Sequence, residues 1–548
     1  MAPSVSSPLL FMFEVPMKKS LLVLSAASLA ASSAVAGTYI SAAVNAKDPC
    51  TVAATKAASL LTMPKSCQPE VTFYITGATA QAGFMTGTAL PDKWFETGYF
   101  TIQEGDGSTG VKLTTGLKTD SSARGWYGIG KAGTAAAGKR LYAAYNPKGS
   151  IEGVMQVMSP TAAEPEATVF YPGSAKCVVS ATSSLTYFCG EYKAVETDLA
   201  LSDVRPQEGD LVWMKKTNGG KTLPRYDSTA LLSTPVGIQA FALIVNNAFY
   251  KALQDRDIAR GIIPATCSSE GSAATYAASS VTSACRPTMA RHEYASLIAE
   301  NGARDLTFLL GAGASANKLV VDRRYGGSGT QASSNVFFLN NPCGGRGFAS
   351  TTAAARDGLG LNIDTTDKVI SNSYGGGLIP RSGVLASTDV AQTGTPYGNI
   401  SVVEWVSSSN VKGSNGVGST ADYHIGVVSA NSDDGGTWKY LKLDGVDPIG
   451  TATGVKAVTP FTDNLRNGLY PFSMVLYTVV TQAAAKKKST DTLAKMADEL
   501  STTLKVPSVN LTGIAALPEN SASALSTMKG VLSRAGNNNC ASLKVTTN

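Results

Sequence analysis

Three stretches of this chain run from a short apolar segment through a small-residue turn into a helical pattern, and this recurrence constrains the fold most. In "VTFYITGATAQAGF", Val71, Phe73 and Ile75 alternate with period two before the turn Gly77-Ala78-Thr79, after which a helix start is expected. In "NPKGSIEGVMQVMSP", Ile151, Val154, Met155 and Met158 recur at helical spacing, Ser150 takes the N-cap position and Pro160 marks the end. "KLVVDRRYGGSGTQASSNVFF" repeats the arrangement, with Ser328 as the cap. Strand, tight turn and helix in that order are the punctuation of an α/β fold.

The rest of the chain reads as support for that framework. "TMARHEYASLIAENG" places Tyr294, Leu297 and Ile298 on one helical face and ends at Gly302, and "STDTLAKMADELSTTLK" does the same with Leu493, Met496, Leu500 and Leu504. Apart from a leader, the longest apolar run is "VGIQAFALIV" from Val236, too short to span a bilayer and suited to a buried strand. The Gly/Ser/Thr-rich tract from 350 to 424, including "SSSNVKGSNGVGST", reads as insertion and loop. No internal repeat of solenoid period is present. At about 150 residues per domain, 548 residues predict three or four domains, but two large lobes carrying insertions use the same length.

The first residues carry an export signal. Met17-Lys18-Lys19 precedes the apolar run "LLVLSAASLA" and the small-residue cleavage site Ala34-Val35-Ala36, so residues 1–36 form a signal peptide whose true start is expected at Met17. The mature chain begins at Gly37, with 37–70 as an N-terminal extension, and Cys50 lies too far downstream to carry a lipid anchor. A periplasmic or secreted location follows, with no membrane span after cleavage. Eight cysteines in an exported chain point to disulfides, and no C-x-x-C spacing suggests a metal. The preferred pairings are Cys50–Cys67, Cys177–Cys189, Cys267–Cys285 and Cys343–Cys540, although spacing does not fix connectivity. Charged residues are only 16% of the chain, against an ordinary share of about 25%, and the net charge of +6 is dispersed. Its one dense run, "KKK" at 486–488, is expected to open a helix rather than to bind nucleic acid, which needs basic and aromatic residues interleaved.

Candidate functional residues cluster at the turns. An exposed helix N-terminus leaves backbone N–H groups unpaired and carries about half a positive charge, which suits an anion. Thr79, Ser150 and Ser328 each bring a hydroxyl to such an end, and Arg324 puts a planar guanidinium four residues before Ser328-Gly329-Thr330. In "DLALSDV", Asp203 follows a short apolar strand. A carboxylate repels a fully ionised anion but accepts a hydrogen bond from one that keeps a proton. Asp203 in the site therefore favours phosphate over sulfate.

In this order, GAT, GS, SD and RxxGSGT, the motifs resemble those of the phosphate-binding proteins of bacterial ABC phosphate importers, a family of type II periplasmic binding proteins. Looser likeness continues through "HIGVVSAN" and "LKLDGVDPI" to "NLRNGLYPFSMVLYTVV", so that the resemblance covers most of residues 71–485. It implies an α/β fold of two lobes joined by a hinge, with disulfide-bearing insertions. Lobe 1 would combine 71–237 with 425–548, and lobe 2 would span 238–424. It implies that phosphate is held by Thr79, the backbone N–H of Ala80, Ser150, Asp203, Arg324, Ser328, Gly329 and Thr330, without cofactor or metal, in a monomer that serves an ABC permease. This chain departs from the family in three ways. Spacing between the first three motifs is wider, Ala80 stands where an aromatic residue is usual, and Glu152 puts a charge in the first turn after Ser150. Such a charge either complements the helix dipole or, facing the cleft, opposes a dianion.

An enzyme is not expected. The two histidines, His292 within a helix and His424 ahead of a strand, accompany no nucleophile, "GGSGT" is not a G-x-S-x-G elbow, and the turns lack the lysine of a P-loop. "SNVK" at 409–412 matches S-x-x-K by chance in a loop. The alternative function is a surface or matrix protein that keeps a binding-protein fold for adhesion or assembly.

Overall fold

The computed structural model describes, with interruptions, residues 68–104, 124–208, 230–340, 423–448 and 469–505, and short stretches at 343, 378–380, 514–515, 531–534 and 539–546. Among these, fourteen strands join in one mixed sheet. In chain order they are β1 (Val71–Ala78), β2 (Phe100–Glu104), β3 (Arg124–Ile129), β4 (Arg140–Lys148), β5 (Cys177–Ser180), β6 (Ser183–Cys189), β7 (Leu199–Ser202), β8 (Leu231–Asn246), β9 (Leu319–Asp322), β10 (Leu378–Pro380), β11 (Tyr423–Ser429), β12 (Trp438–Tyr440), β13 (Ser473–Thr481) and β14 (Ile514–Ala515). The spatial order is β10-β9-β11-β8-β13-β7-β1-β4-β3-β2-β6-β5, with β12 and β14 also on β8.

The centre of this order ties two halves together. β8 pairs with β13 from Leu231 to Ala240 and then with β11 from Phe241 to Val245, so one strand serves both halves. Its register shifts between Pro235 and Gly237, a bulge that accommodates a residue with no N–H to give the ladder. β13 continues to β7 through Tyr477–Ser202, Thr478–Leu201 and Val479–Ala200. On either side lie parallel pairs, β1 with β4 and β7 in one half and β9 with β10 and β11 in the other.

Helices cover the sheet as the apolar patterns require. α1 (Ser150–Met158) packs on β1 and β7. α2 (Asn247–Ala259) leaves β8 directly, capped by Asn246, whose Oδ1 accepts from Phe249 N–H at 3.1 Å. α3 (Arg291–Ile298) buries Tyr294, Leu297 and Ile298, while its expected end at Gly302 lies outside the described residues. α4 (Gly329–Leu339) is buried on every side. α5 (Gln482–Lys486) and α6 (Thr492–Leu504) follow β13. Val71, Phe73 and Ile75 of β1 pack with Met496 and Leu500 of α6, whereas Thr76 on the other face bonds Gln156 of α1 at 2.7 Å. Period two in β1 thus separates two helical layers.

The α/β class is as expected, and so are two disulfides, Cys267–Cys285 and Cys343–Cys540. Cys177 and Cys189 stand opposite one another on β5 and β6, and Cys50 and Cys67 lie outside the described residues. Four local expectations need correction. The lysine run does not open a helix: Lys486 closes α5, where cations complement the dipole, and Asp491 opens α6 by accepting from Leu493 and Ala494 N–H at 2.9 and 3.0 Å. Ser150 is the first residue of α1 rather than its cap, the first turn being closed by Gly153 N–H on the Gly149 carbonyl at 2.9 Å. His424 lies inside β11, 2% exposed, with its N–H on Asn246 Oδ1 at 3.2 Å. The 350–424 tract contains a strand, β10, because Leu378–Pro380 completes a parallel edge beside β9. "SNVK" lies outside the described residues. No helix among those described is long and apolar enough to cross a membrane.

Candidate functional site

The site begins where β7 ends. Its four residues are buried, and the chain then turns through Ser202, Asp203 and Val204, held by Ser202 Oγ, which donates to the Val204 carbonyl at 2.5 Å and accepts from Val204 N–H at 3.3 Å. Asp203 N–H donates to Ser150 Oγ at 3.1 Å. That bond explains why the serine hydroxyl does not cap its own helix.

Ser150 reaches Asp203 because two glycines let α1 settle on the sheet. A Cβ on Gly153 would lie 2.6 Å from Gly77 Cα, and one on Gly77 would lie 2.0 Å from the Leu201 carbonyl oxygen. Gly77 also has φ +117°, a conformation that L side chains rarely adopt. The first turn of α1 therefore sits against the ends of β1 and β7.

α4 arrives from the other half of the sheet. Ser328 is its N-cap, accepting from Gln331 N–H at 3.4 Å as the sequence predicts, and Gly329 is its first residue. A Cβ on Gly329 would stand 2.0 Å from Ser150 Oγ and 2.6 Å from Asp203 Oδ2. Two helix N-termini, from opposite halves, thus meet at one buried carboxylate. Ser150, Asp203, Ser328 and Thr330 are at most 4% exposed, so charge placed here acts in a medium poor in water. Each helix start contributes about half a positive charge, and Asp203 contributes an acceptor. The groups available are the donors of two helix starts beside a buried carboxylate acceptor.

Five of the eight predicted ligand residues are brought together here: Ser150, Asp203, Ser328, Gly329 and Thr330. Thr79, Ala80 and Arg324 lie outside the described residues. Glu152 is 4% exposed in the first turn of α1, so its carboxylate is enclosed rather than solvated. Among the described residues no group of His, Cys, Asp and Glu is placed to hold a metal. His292 is exposed on α3.

Sequence reading missed two residues that bond to the ends of β1 and β7. Tyr145 of β4 donates its hydroxyl to the Ala78 carbonyl at 2.7 Å, and burial, reinforced by the Asp203 charge, pushes its phenol well above the ordinary range. Gln81, 1% exposed, donates to the Ser202 carbonyl at 3.3 Å. Neither carries a motif. Their only signal is a polar group in an apolar setting.

No protein-family model matches the chain, and no curated protein does. Among solved structures, it is similar to that of a candidate phosphate ABC transporter substrate-binding protein with bound phosphate from Clostridium perfringens, at TM-score 0.33 and 11% identity over 81% of this chain and 99% of that one. It is also similar to an ABC-type phosphate transport receptor from Vibrio cholerae, at TM-score 0.33 and 11% identity over 80% and 99%. A human phosphate binding apolipoprotein is similar at TM-score 0.31 and 13% identity, over 83% and 93%.

Proposed function

We propose that this chain is an exported, non-enzymatic binding protein that captures inorganic phosphate between two lobes and presents it to an ABC-type permease. Lobe 1, residues 71–237 with 425–548, supplies Thr79, Ala80, Ser150 and Asp203. Lobe 2, residues 238–424, supplies Arg324, Ser328, Gly329 and Thr330. The observation that carries this reading is the meeting of Ser150, Asp203 and Gly329, with a Gly329 Cβ position 2.6 Å from Asp203 Oδ2. Closure of the lobes removes water and strengthens each charge-assisted hydrogen bond, and the ligand leaves unchanged.

Calorimetric titration of residues 37–548, freed of bound ligand by unfolding and refolding, tests this at neutral pH with phosphate and sulfate. Phosphate is expected to bind tightly and sulfate not at all. Asp203→Asn should relax that discrimination, because an amide donates to a fully ionised oxygen where a carboxylate cannot. Silence for both anions in refolded protein would leave the surface or matrix role as the better reading.

A further inference from the structure

We propose that Asn539 and the adjoining Cys343–Cys540 disulfide form a clip that sets the separation of the two elements meeting at the anion site, with Asn539 as a positioning residue. The proposal rests on the phosphate reading for its binding consequence, while its mechanical part stands on contacts alone. The elements are α4 and the turn after β7. Among the described residues, the sheet connects them through β11, β8 and β13.

The clip supplies a second route. Cys343 follows α4 by four residues, packs against the larger core and is bonded to Cys540, 197 residues later. Beside it, Asn539 is 1% exposed. Its Oδ1 accepts from Val475 N–H at 2.8 Å, while its Nδ2 donates to the Val475 carbonyl at 3.3 Å and to Glu208 Oε2 at 3.0 Å. Glu208, 2% exposed, accepts in turn from Arg205 N–H at 2.8 Å and Arg205 Nε at 2.9 Å. Arg205 is two residues beyond Asp203.

These contacts close a ring. From α4 the path runs through the disulfide to Asn539, Glu208, Arg205 and Asp203, and returns to α4 at Gly329. β13 is the bench on which the ring rests. Phe337 stacks on Phe472, just ahead of β13, with centroids 4.4 Å apart, Phe338 meets the same ring edge-on at 5.1 Å, and Asn539 grips Val475. Only a side chain with both a donor and an acceptor can satisfy Val475 twice and still hold a buried carboxylate, which is why an asparagine serves here. With the ring cut, the ligand must itself order the two elements, and affinity falls by the fraction of molecules already in place.

The test compares the full mature chain with Cys343→Ser/Cys540→Ser, with Asn539→Ala, which keeps the disulfide, and with Cys267→Ser/Cys285→Ser as the control loss of a disulfide. The first readout is amide hydrogen exchange at 202–208 and 328–332 without ligand, expected to quicken about tenfold in both clip variants and to hold in the control. The second is phosphate binding, expected to weaken about tenfold through faster dissociation. Exchange that changes only next to residues 343 and 540 would overturn the clip. So would faster exchange with unchanged affinity in a wild type that binds phosphate. Should the wild type bind no phosphate, the anion reading falls, and exchange still decides whether the clip exists.

Discussion

Gly329 has no side chain because Ser150 and Asp203 occupy the space one would need. The separations of 2.0 and 2.6 Å from a Cβ position are far inside van der Waals contact, and the nearest atom belongs to a serine held by the Asp203 N–H. Gly329→Ala therefore overpacks the junction, and the thermal midpoint should fall, by about 1–3 kcal/mol of stability, as the two helix starts are pushed apart. Phosphate affinity should drop as well, by at least about tenfold, since the helix starts no longer meet. Calorimetric titration beside a melting curve checks both, and an unchanged affinity would remove α4 from the site. Residue by residue, the sequence picked out Ser150, Asp203 and Ser328 because backbone punctuation announces them, while Thr79 and Arg324 lie outside the described residues. Tyr145 and Gln81 were invisible because their roles depend on carbonyls from other strands.

At the scale of elements, α1 shows how packing overrides a local rule. Ser150 before an apolar stripe reads as an N-cap, yet its hydroxyl serves Asp203 and the helix begins one residue earlier than a cap would allow. Gly153 permits this by letting α1 approach Gly77 backbone to backbone. Gly153→Ala should cost about 1–3 kcal/mol in denaturant unfolding, as overpacking against an immovable partner does, and should also weaken phosphate binding by lifting Ser150 away. Stability equal to wild type would mean that the contact yields. Where one face alone decides, as in α3 and α6, the sequence located the helix: Tyr294, Leu297, Ile298, Met496 and Leu500 are buried, while Leu493 and Leu504 are only partly so and Ala494 and Ala497 complete the face instead. The lysine run misled because it was joined to the helix pattern after it, whereas Asp491 caps that helix and the cations belong to the C-terminal end of α5, which suits them.

For the whole molecule, α/β character was legible in the sequence, whereas the order of fourteen strands was not. Period-two patterns say which face a residue takes but not which strand lies beside it. Stability as a whole should also respond to pH through Asp198, at the foot of β7. Its carboxylate accepts from Tyr74 N–H at 2.7 Å, but burial, with Asp491 and Glu196 nearby, pushes it from 3.8 to about 7. The folded state then holds a proton that the unfolded chain gives up near pH 4, so this contribution is complete below that pH and fades as pH rises through about 7. The slope cannot exceed about 1.4 kcal/mol per pH unit. Asp198→Asn keeps an acceptor for Tyr74 and removes the charge. Denaturant midpoints across pH 4–7 should lose this downward slope in the variant, and identical profiles would show that Asp198 ionises freely. Finally, the sixteen-residue strand Leu231–Asn246 belongs to both halves of the sheet. It leaves the described sheet without a seam: β13 holds its first ten residues and β11 the next five, so a cut between them would leave each half with only part of a strand that continues into the other.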